Sequence, residues 1–562
     1  MRESSMRREN LKLTARRLWD AFLLSVALPA ALYTFCFFVL TYPLIWKWNS
    51  YFYADDLDGL QNEWNLWWFR KAIVELHQSP WFTTWLHAPQ GTTLFGHTLQ
   101  PLVGTIGIFL GVIFPRVQVY NLIITGCFVS CGVTAFWLAR YVTGQYIPAL
   151  IGGFAFTFTG FHFAQARGHM ELISAEFLPL FLLVWLRFLD KPTFCRVIAP
   201  GVVLGLAACS DFNFVFYCIL AGCICVIFYL PRLAAIARQH RGMPLYLPLR
   251  FGVFVMAALI CCGPLLIPLE IHDMQDPFVG AHDAAVYSAD LGSAFVPGGV
   301  SMLGRYTRAF WSKLTCEPSE QDVYLGLTVV AMAVYGVVRH RSVNVSVGLW
   351  IALAVVSYAL SLGPVLHFHG IARTGPMMPY TWLETLLPPL KLGGCPSRIS
   401  VLLALAVSVL ASVGVAAICN RHHWTSAVVI CAFVIWMVID LWPIPFAYTP
   451  VIYPPWTTAL RNLPLKGAVM SRAYNNNPCA ELYCQTLYDR PMAFGYISRV
   501  PTSVTQNDDL ILGCAQNGAF AALRHDFGFV YLVLRKDMRL PNLPIVYSDD
   551  TVVIEELPPG TP

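Results

Sequence analysis

The amino-acid sequence predicts an α-helical polytopic membrane protein of about eleven spans, followed by a small extracytoplasmic α/β domain. Three observations carry that expectation. The 562 residues are 57% hydrophobic and 12% charged, against about 25% charged in ordinary soluble domains. The apolar residues gather in runs long enough to cross a bilayer, and mean hydropathy over the chain is +0.57. Residues 445–562 then change texture, with fewer apolar residues and short β-like runs. The net charge of +5 sits in short basic clusters between apolar runs. No basic stripe with interleaved aromatics is present, so a nucleic-acid partner is not expected.

Arg2, Arg7, Arg8, Lys12, Arg16 and Arg17 precede the first apolar run, at about 21–46. The positive-inside rule places that end in the cytoplasm. The run is too long for a signal-peptide core and reads as a signal anchor. Residues 47–117 are then a first outer loop. Within it, Pro101–Pro115 holds about thirteen apolar residues, short of the ~20 that span, and reads as interfacial or re-entrant. Further spans follow at about 118–139, 147–163, 174–188, 197–210, 213–231, 251–269, 323–338, 344–364, 399–418 and 425–442. This parity leaves Arg140, the Arg187–Arg196 cluster, Arg232, Arg238, Arg241, Arg250, Arg339, Arg341 and Arg421-His422-His423 on the cytoplasmic side. The expected division is a transmembrane part, 1–444, and an extracytoplasmic α/β part, 445–562. Strands are expected at Gly467–Met470, Phe529–Leu534 and 546–553, where Asp549-Asp550 suits a turn. Most of the 17 cysteines lie in apolar runs, as small hydrophobes. An oxidising outer compartment would allow a Cys479–Cys484 bridge.

The chemistry is concentrated at Tyr53–Trp68, which holds Asp55, Asp56, Asp58 and Glu63 in a chain poor in charge. A helix from Asp58 puts Asp58, Gln61, Asn62 and Asn65 on one face, because positions three and four apart are neighbours. Leu60, Trp64, Trp67 and Trp68 take another face. This predicts a helix at the membrane surface, with aromatic rings at headgroup level and polar groups turned to water. An acid there can take a proton from an acceptor hydroxyl; the plainer reading is an aromatic anchor with solvated acids. Other outer polar groups are His97, Arg167, His169, Glu171, Asp211, Arg305, Arg308, Lys313, Arg398 and Arg499. Arginines can hold a phosphate by paired hydrogen bonds, or simply snorkel at the interface. His162, His169 and Glu171 match no metal-ligand spacing, and no P-loop, GxSxG, HExxH or Rossmann fingerprint occurs.

The order of several short motifs resembles the GT-C superfamily of integral membrane glycosyltransferases, and within it a group of bacterial membrane proteins. They are Asp58-Gly-Leu-Gln-Asn62-Glu-Trp64, Leu94-Phe-Gly-His97-Thr98-Leu-Gln-Pro101, Gly168-His169-Met-Glu-Leu172, Pro396-Ser397-Arg398, and Gln485-Thr486 followed by Gly495-Tyr496-Ile-Ser498-Arg499. The resemblance covers nearly the whole chain and implies a GT-C-like fold in a bacterial inner membrane. It implies transfer of a sugar from a polyprenyl-phosphate donor to a glycan, lipid or protein acceptor outside, usually with inversion. It places the general base on Asp58, with Asp56 as runner-up. Substrate-binding roles fall on Asn62, Gln61, His97, His169 and Glu171, with Arg398 and Arg499 as phosphate contacts. No cofactor or resident metal is expected, a divalent cation being left open. The rival reading is a non-catalytic transporter or assembly factor for lipid-linked glycans. A transporter would show related halves and polar groups at mid-membrane depth, whereas here the polar groups gather on one side.

Overall fold

The computed structural model describes residue 17 and residues 19–559, apart from 241, 244, 316–317, 341–344, 374, 376, 421–423, 475–476 and 541. Arg2 to Arg16, Arg241, Arg341 and Arg421-His422-His423 lie outside the described residues. Each of the apolar runs expected to span is helical. Six helices are long and apolar enough to cross a membrane: Trp19–Leu40, Arg116–Thr143, Met170–Asp190, Phe212–Gln239, Tyr246–Gln275 and Pro396–Cys419. Five further apolar helices are shorter: Tyr146–Thr157, Phe194–Ala208, Leu327–Arg339, Val347–Ser361 and Trp424–Asp440. The chain is therefore a multi-pass membrane protein.

Local chemistry sets where these helices begin and end. Arg116–Thr143 follows the extended Pro115 and stops at Gly144, whose left-handed backbone closes its C-terminus. Phe212–Gln239 starts at Asp211, whose carboxylate accepts from the Asn213 amide at 2.6 Å. Pro396–Cys419 is the centre of the bundle, with 94% of its apolar window buried. It packs on Leu327–Arg339, Val347–Ser361 and Tyr146–Thr157. Its first turn, Pro396–Ile399, is a buried 3-10 turn that carries Arg398 inside the protein.

Pro101–Leu110 is a helix of ten residues. It leans on the acidic helix Asp58–Arg70, where a Cβ on Gly104 would come within 2.5 Å of the Phe69 ring. Its outer side, with Phe109, is exposed. Residues 445–559 hold a four-stranded sheet in spatial order Ile545–Ser548, Val552–Glu556, Phe529–Arg535, Ala468–Arg472. The last two strands pair in parallel and the others antiparallel. Asp549 makes the turn between the two late strands by accepting from the amides of Thr551 and Val552, each at 2.8 Å.

This sheet region is fastened to the first loop. Tyr51–Phe52 pairs with Thr449–Pro450, and Phe278–Val279 with Val500–Pro501. Helix Pro478–Tyr488 packs along Asp58–Arg70. The Trp64 indole donates to Gln485 Oε1 at 2.7 Å, and the Gln485 amide donates to the carbonyls of Trp85 and Arg490. Lys71 reaches Asp489 at 2.6 Å, between the rings of Trp67 and Trp85.

Two expectations are corrected here. The acidic helix is not a membrane-surface helix. Its aromatic face is buried, with Trp64 and Trp68 wholly enclosed, and so are Gln61, Asn62 and Asn65. The reason is that helix Pro478–Tyr488 and helix Pro101–Leu110 cover it from two sides. Cys479 and Cys484 are both free and buried. They stand on one helix five residues apart, about 7.5 Å along its axis, beyond the reach of a disulfide.

Candidate functional site

Asp58 opens the helix Asp58–Arg70. The turn before it is set by Asp55, whose carboxylate accepts from the amides of Leu57 and Gly59, both at 3.1 Å. The Asp55 amide in turn donates to the Arg167 carbonyl at 2.7 Å. This ties the acidic loop to Arg167-Gly168-His169. Gly168 is needed for the approach, because a Cβ there would lie 2.9 Å from the Asp58 Cβ. The Asn62 amide closes the same junction by donating to the carbonyls of Gly168 and, at 3.0 Å, Asp58.

Across this junction His169 Nε2 lies 3.5 Å from Asp58 Oδ2 and 3.5 Å from Glu320 Oε1. Arg398 donates to Glu320 through Nε at 3.0 Å and Nη2 at 2.5 Å. That two-pronged geometry is the strongest common form of a carboxylate–arginine contact. The Gln165 amide adds a third donor at 3.5 Å. The result is one continuous chain of polar groups: Asp58, His169, Glu320, Arg398.

The electrostatics separate these groups. Burial pushes the His169 ring down to about 4, against the upward pull of Glu320, so the ring is neutral at pH 7. Burial alone would raise the Glu320 carboxyl, but the Arg398 guanidinium outweighs it and holds Glu320 at about 2. Asp211 is raised by burial, with Arg398 opposing. Glu171 is buried in the first turn of Met170–Ile173 and acts on Arg398. Asp58 keeps 32% of its side chain exposed, against 20% for His169 and 5% for Glu320. Its carboxylate is therefore the most exposed acid of the chain.

The remaining sequence candidates fall elsewhere. Asp56 is exposed, and its main-chain carbonyl accepts from Asn477 at 2.7 Å. Gln61 and His97 form a second, buried cluster. The Ser498 amide donates to His97 Nδ1 at 3.2 Å, which leaves Nε2 to donate to Asn65 Oδ1 at 2.7 Å. The Gln61 amide lies beside Thr98 and Ser498 at 3.3 and 3.4 Å. Burial pushes the His97 ring down to about 3. This cluster joins the first loop to Gly495–Arg499. The Arg499 guanidinium donates to the carbonyls of Leu392, Gly393 and Ser498. Arg305, Arg308 and Lys313 are exposed. His162 faces the carbonyls of Thr157 and Ile173 at 2.7 and 2.9 Å. Among the described residues no group of three or more His, Cys, Asp or Glu side chains is placed to hold a metal ion.

Glu320 is absent from the sequence candidates. The signal available in the sequence is that Glu317, Glu320 and Asp322 crowd the end of a long loop, directly before an apolar run.

No protein-family profile and no curated protein sequence matches the chain. Solved structures do resemble it. The arabinofuranosyltransferase AftD from Mycobacteria superposes with a TM-score of 0.56 at 13% identity, over 95% of this chain and 40% of that one. Its R1389S mutant gives 0.57 at 13%, over 95% and 41%. ArnT from Cupriavidus metallidurans, bound to undecaprenyl phosphate, gives 0.41 at 11%, over 94% and 97%. The chain thus spans about two fifths of the length of AftD, and the likeness rests on that superposition. Together with the helical bundle, it shows that the chain has a GT-C-like fold.

Proposed function

We propose that this protein is a membrane glycosyltransferase that moves a sugar from a polyprenyl-phosphate donor to an acceptor on the outer face of a bacterial inner membrane. The N-terminus is then cytoplasmic and the sheet region extracytoplasmic. Asp58 is the general base. The acceptor oxygen attacks the anomeric carbon and the bond from that carbon to the phosphate oxygen breaks. Polyprenyl phosphate leaves with the electron pair, and the acceptor proton passes to Asp58. The observation that carries this reading is the partly exposed Asp58 carboxylate at the more open end of a polar chain that is buried at Glu320 and Arg398. Such an arrangement suits proton transfer, which contributes about 10²–10⁴-fold to a rate.

Asn62 and His169 orient the acceptor or the donor beside Asp58, with Asn62 also holding the Gly168 carbonyl. Glu171 lines the same junction. Arg398 supplies positive charge already balanced by Glu320, and Arg499 acts on Arg398 and Tyr496. Gln61 and His97 brace the loop from behind. The reading assigns no resident metal.

The test is donor consumption by the purified protein, offered a panel of polyprenyl-phosphate sugars with and without EDTA. Turnover that survives EDTA is the expected result. Absence of turnover with every donor, while labelled lipid still crosses reconstituted vesicles, would replace the enzyme with a transporter.

A further inference from the structure

We infer that the hairpin of strands Leu366–Phe368 and Ile371–Arg373, with the short helix Arg308–Trp311 against its tip, is a docking surface for anionic phospholipid. Apolar side chains of the hairpin enter the leaflet, and the cations around it hold lipid phosphates. The inference needs the multi-pass bundle alone and stands apart from the sugar-transfer reading.

The register of the hairpin carries the first part. Successive side chains of a strand point to opposite faces. The pairing puts Leu366, Phe368, Ile371 and Arg373 on one face and His367 with Ala372 on the other. His367 is buried, and its carbonyl accepts from the Leu291 amide at 3.0 Å. The opposite face is therefore turned away from the protein. There Phe368 is 49% and Ile371 56% exposed, with Arg373 exposed beside them. A bare aromatic–isoleucine pair is unfavourable in water and suited to a bilayer interface.

The bundle sets the depth of this face. Tyr358, in the last turn of Val347–Ser361, donates to the Leu291 carbonyl at 2.5 Å. Leu291 thus links the end of that helix to the hairpin, which lies at the level where headgroups begin. Helix Pro379–Leu386 packs on the same apolar helix. It turns Trp382 and Leu386, four residues apart, outward. A tryptophan at that level is an interfacial anchor.

Charge names the occupant. The hairpin tip rests on Arg308–Trp311: His369 stacks on Phe310 with ring centroids 5.6 Å apart, and Gly370 leaves no room for a Cβ against the Lys313 carbonyl. Arg305, Arg308, Lys313 and Arg373 are all exposed. Among the described residues no carboxylate pairs with any of them. Arg305 lies over the exposed Tyr306 ring, 4.6 Å from its centroid. Unpaired cations beside an exposed apolar face fit a molecule that carries phosphate above acyl chains. A second copy of this chain would bring the same cations against these, and a zwitterionic lipid would leave them without a net counter-charge.

Native mass spectrometry of the full chain, offered equal amounts of phosphatidylglycerol and phosphatidylcholine, reads the headgroup preference. The parent is expected to retain phosphatidylglycerol. Arg305→Gln/Arg308→Gln/Lys313→Gln/Arg373→Gln is expected to lose that preference, at about fivefold in affinity per cation removed, with Tm unchanged. Arg461→Gln/Lys466→Gln, which removes two exposed cations of the sheet region, should keep it. A preference unchanged in the fourfold variant, or lost equally in the control, overturns the inference. So does displacement of the lipid by millimolar inorganic phosphate, which would make this a phosphate site and not a lipid surface. A second arm places the photo-crosslinker benzoylphenylalanine at Ile371 in vesicles of the same two lipids. A lipid adduct enriched in phosphatidylglycerol is expected. A covalent protein dimer, or the absence of a lipid adduct, overturns the inference. Neither arm depends on whether the protein consumes a sugar donor.

Discussion

At the residue scale, Arg398 shows how a buried charge is retained. Taking an arginine and a glutamate out of water is unfavourable, and the pair offsets this only through its two close hydrogen bonds. Removing one partner leaves the other buried and uncompensated. Arg398→Ala should therefore destabilise the protein by about 3–5 kcal/mol, measured as a large fall in Tm in detergent. Arg398→Ala combined with Glu320→Ala should recover a substantial part of that loss. Equal Tm values for the parent and Arg398→Ala would mean that the pair contributes nothing to the fold. The sequence displays Arg398 as a capping arginine. It cannot display its burial, because the carboxylate that pairs with it lies 78 residues earlier, in a different loop.

At the scale of elements, the acidic helix is a keystone held by three neighbours. Its start and polar face are legible from Asp58, Gln61, Asn62 and Asn65, whose spacing is helical. Its surroundings are not. Trp64 and Gln485 meet across 421 residues, and no local pattern reveals that a tryptophan-rich face is covered by a helix from the far end of the chain. Phenylalanine at Trp64 should leave Gln485 Oε1 buried without a donor, at a loss of about 1–3 kcal/mol, read as lowered Tm. Gly104→Val should push Pro101–Leu110 away from Phe69 and lower Tm again, by a strain of about 1–3 kcal/mol.

The same junction is sensitive to acid. The folded state holds His97 at about 3 and His169 at about 4, both below the ordinary value of 6.5. The unfolded chain therefore binds more protons between those values, and stability rises with pH through that range. The His97 and His169 contributions are fully present above 6.5 and are lost as pH falls toward 4 and 3. Tm should drop between pH 7 and pH 5, and the drop should be smaller in His97→Gln. A Tm that is flat over that range, in parent and variant alike, would contradict this.

For the whole molecule, the positions of the apolar helices and of the late strands were readable because apolar run length and short β-rich runs bounded by turn residues are local properties. Which ends meet was not readable. The sheet region and the first loop pack together, and the proposed topology, with a cytoplasmic N-terminus, puts both on the outer side. In a cysteine-free background, a membrane-impermeant maleimide should label Asp509→Cys in intact spheroplasts. It should label Arg238→Cys only after permeabilisation. The reverse pattern would invert the topology.

The central claim is that Asp58, and not its exposed neighbour Asp56, takes the acceptor proton. The direct measurement is the donor-consumption rate of Asp58→Asn and Asp56→Asn beside the parent, each with an unchanged Tm. Loss of about 10²–10⁴-fold in Asp58→Asn, with Asp56→Asn near the parent rate, is the predicted result. Full turnover by a folded Asp58→Asn protein would contradict it.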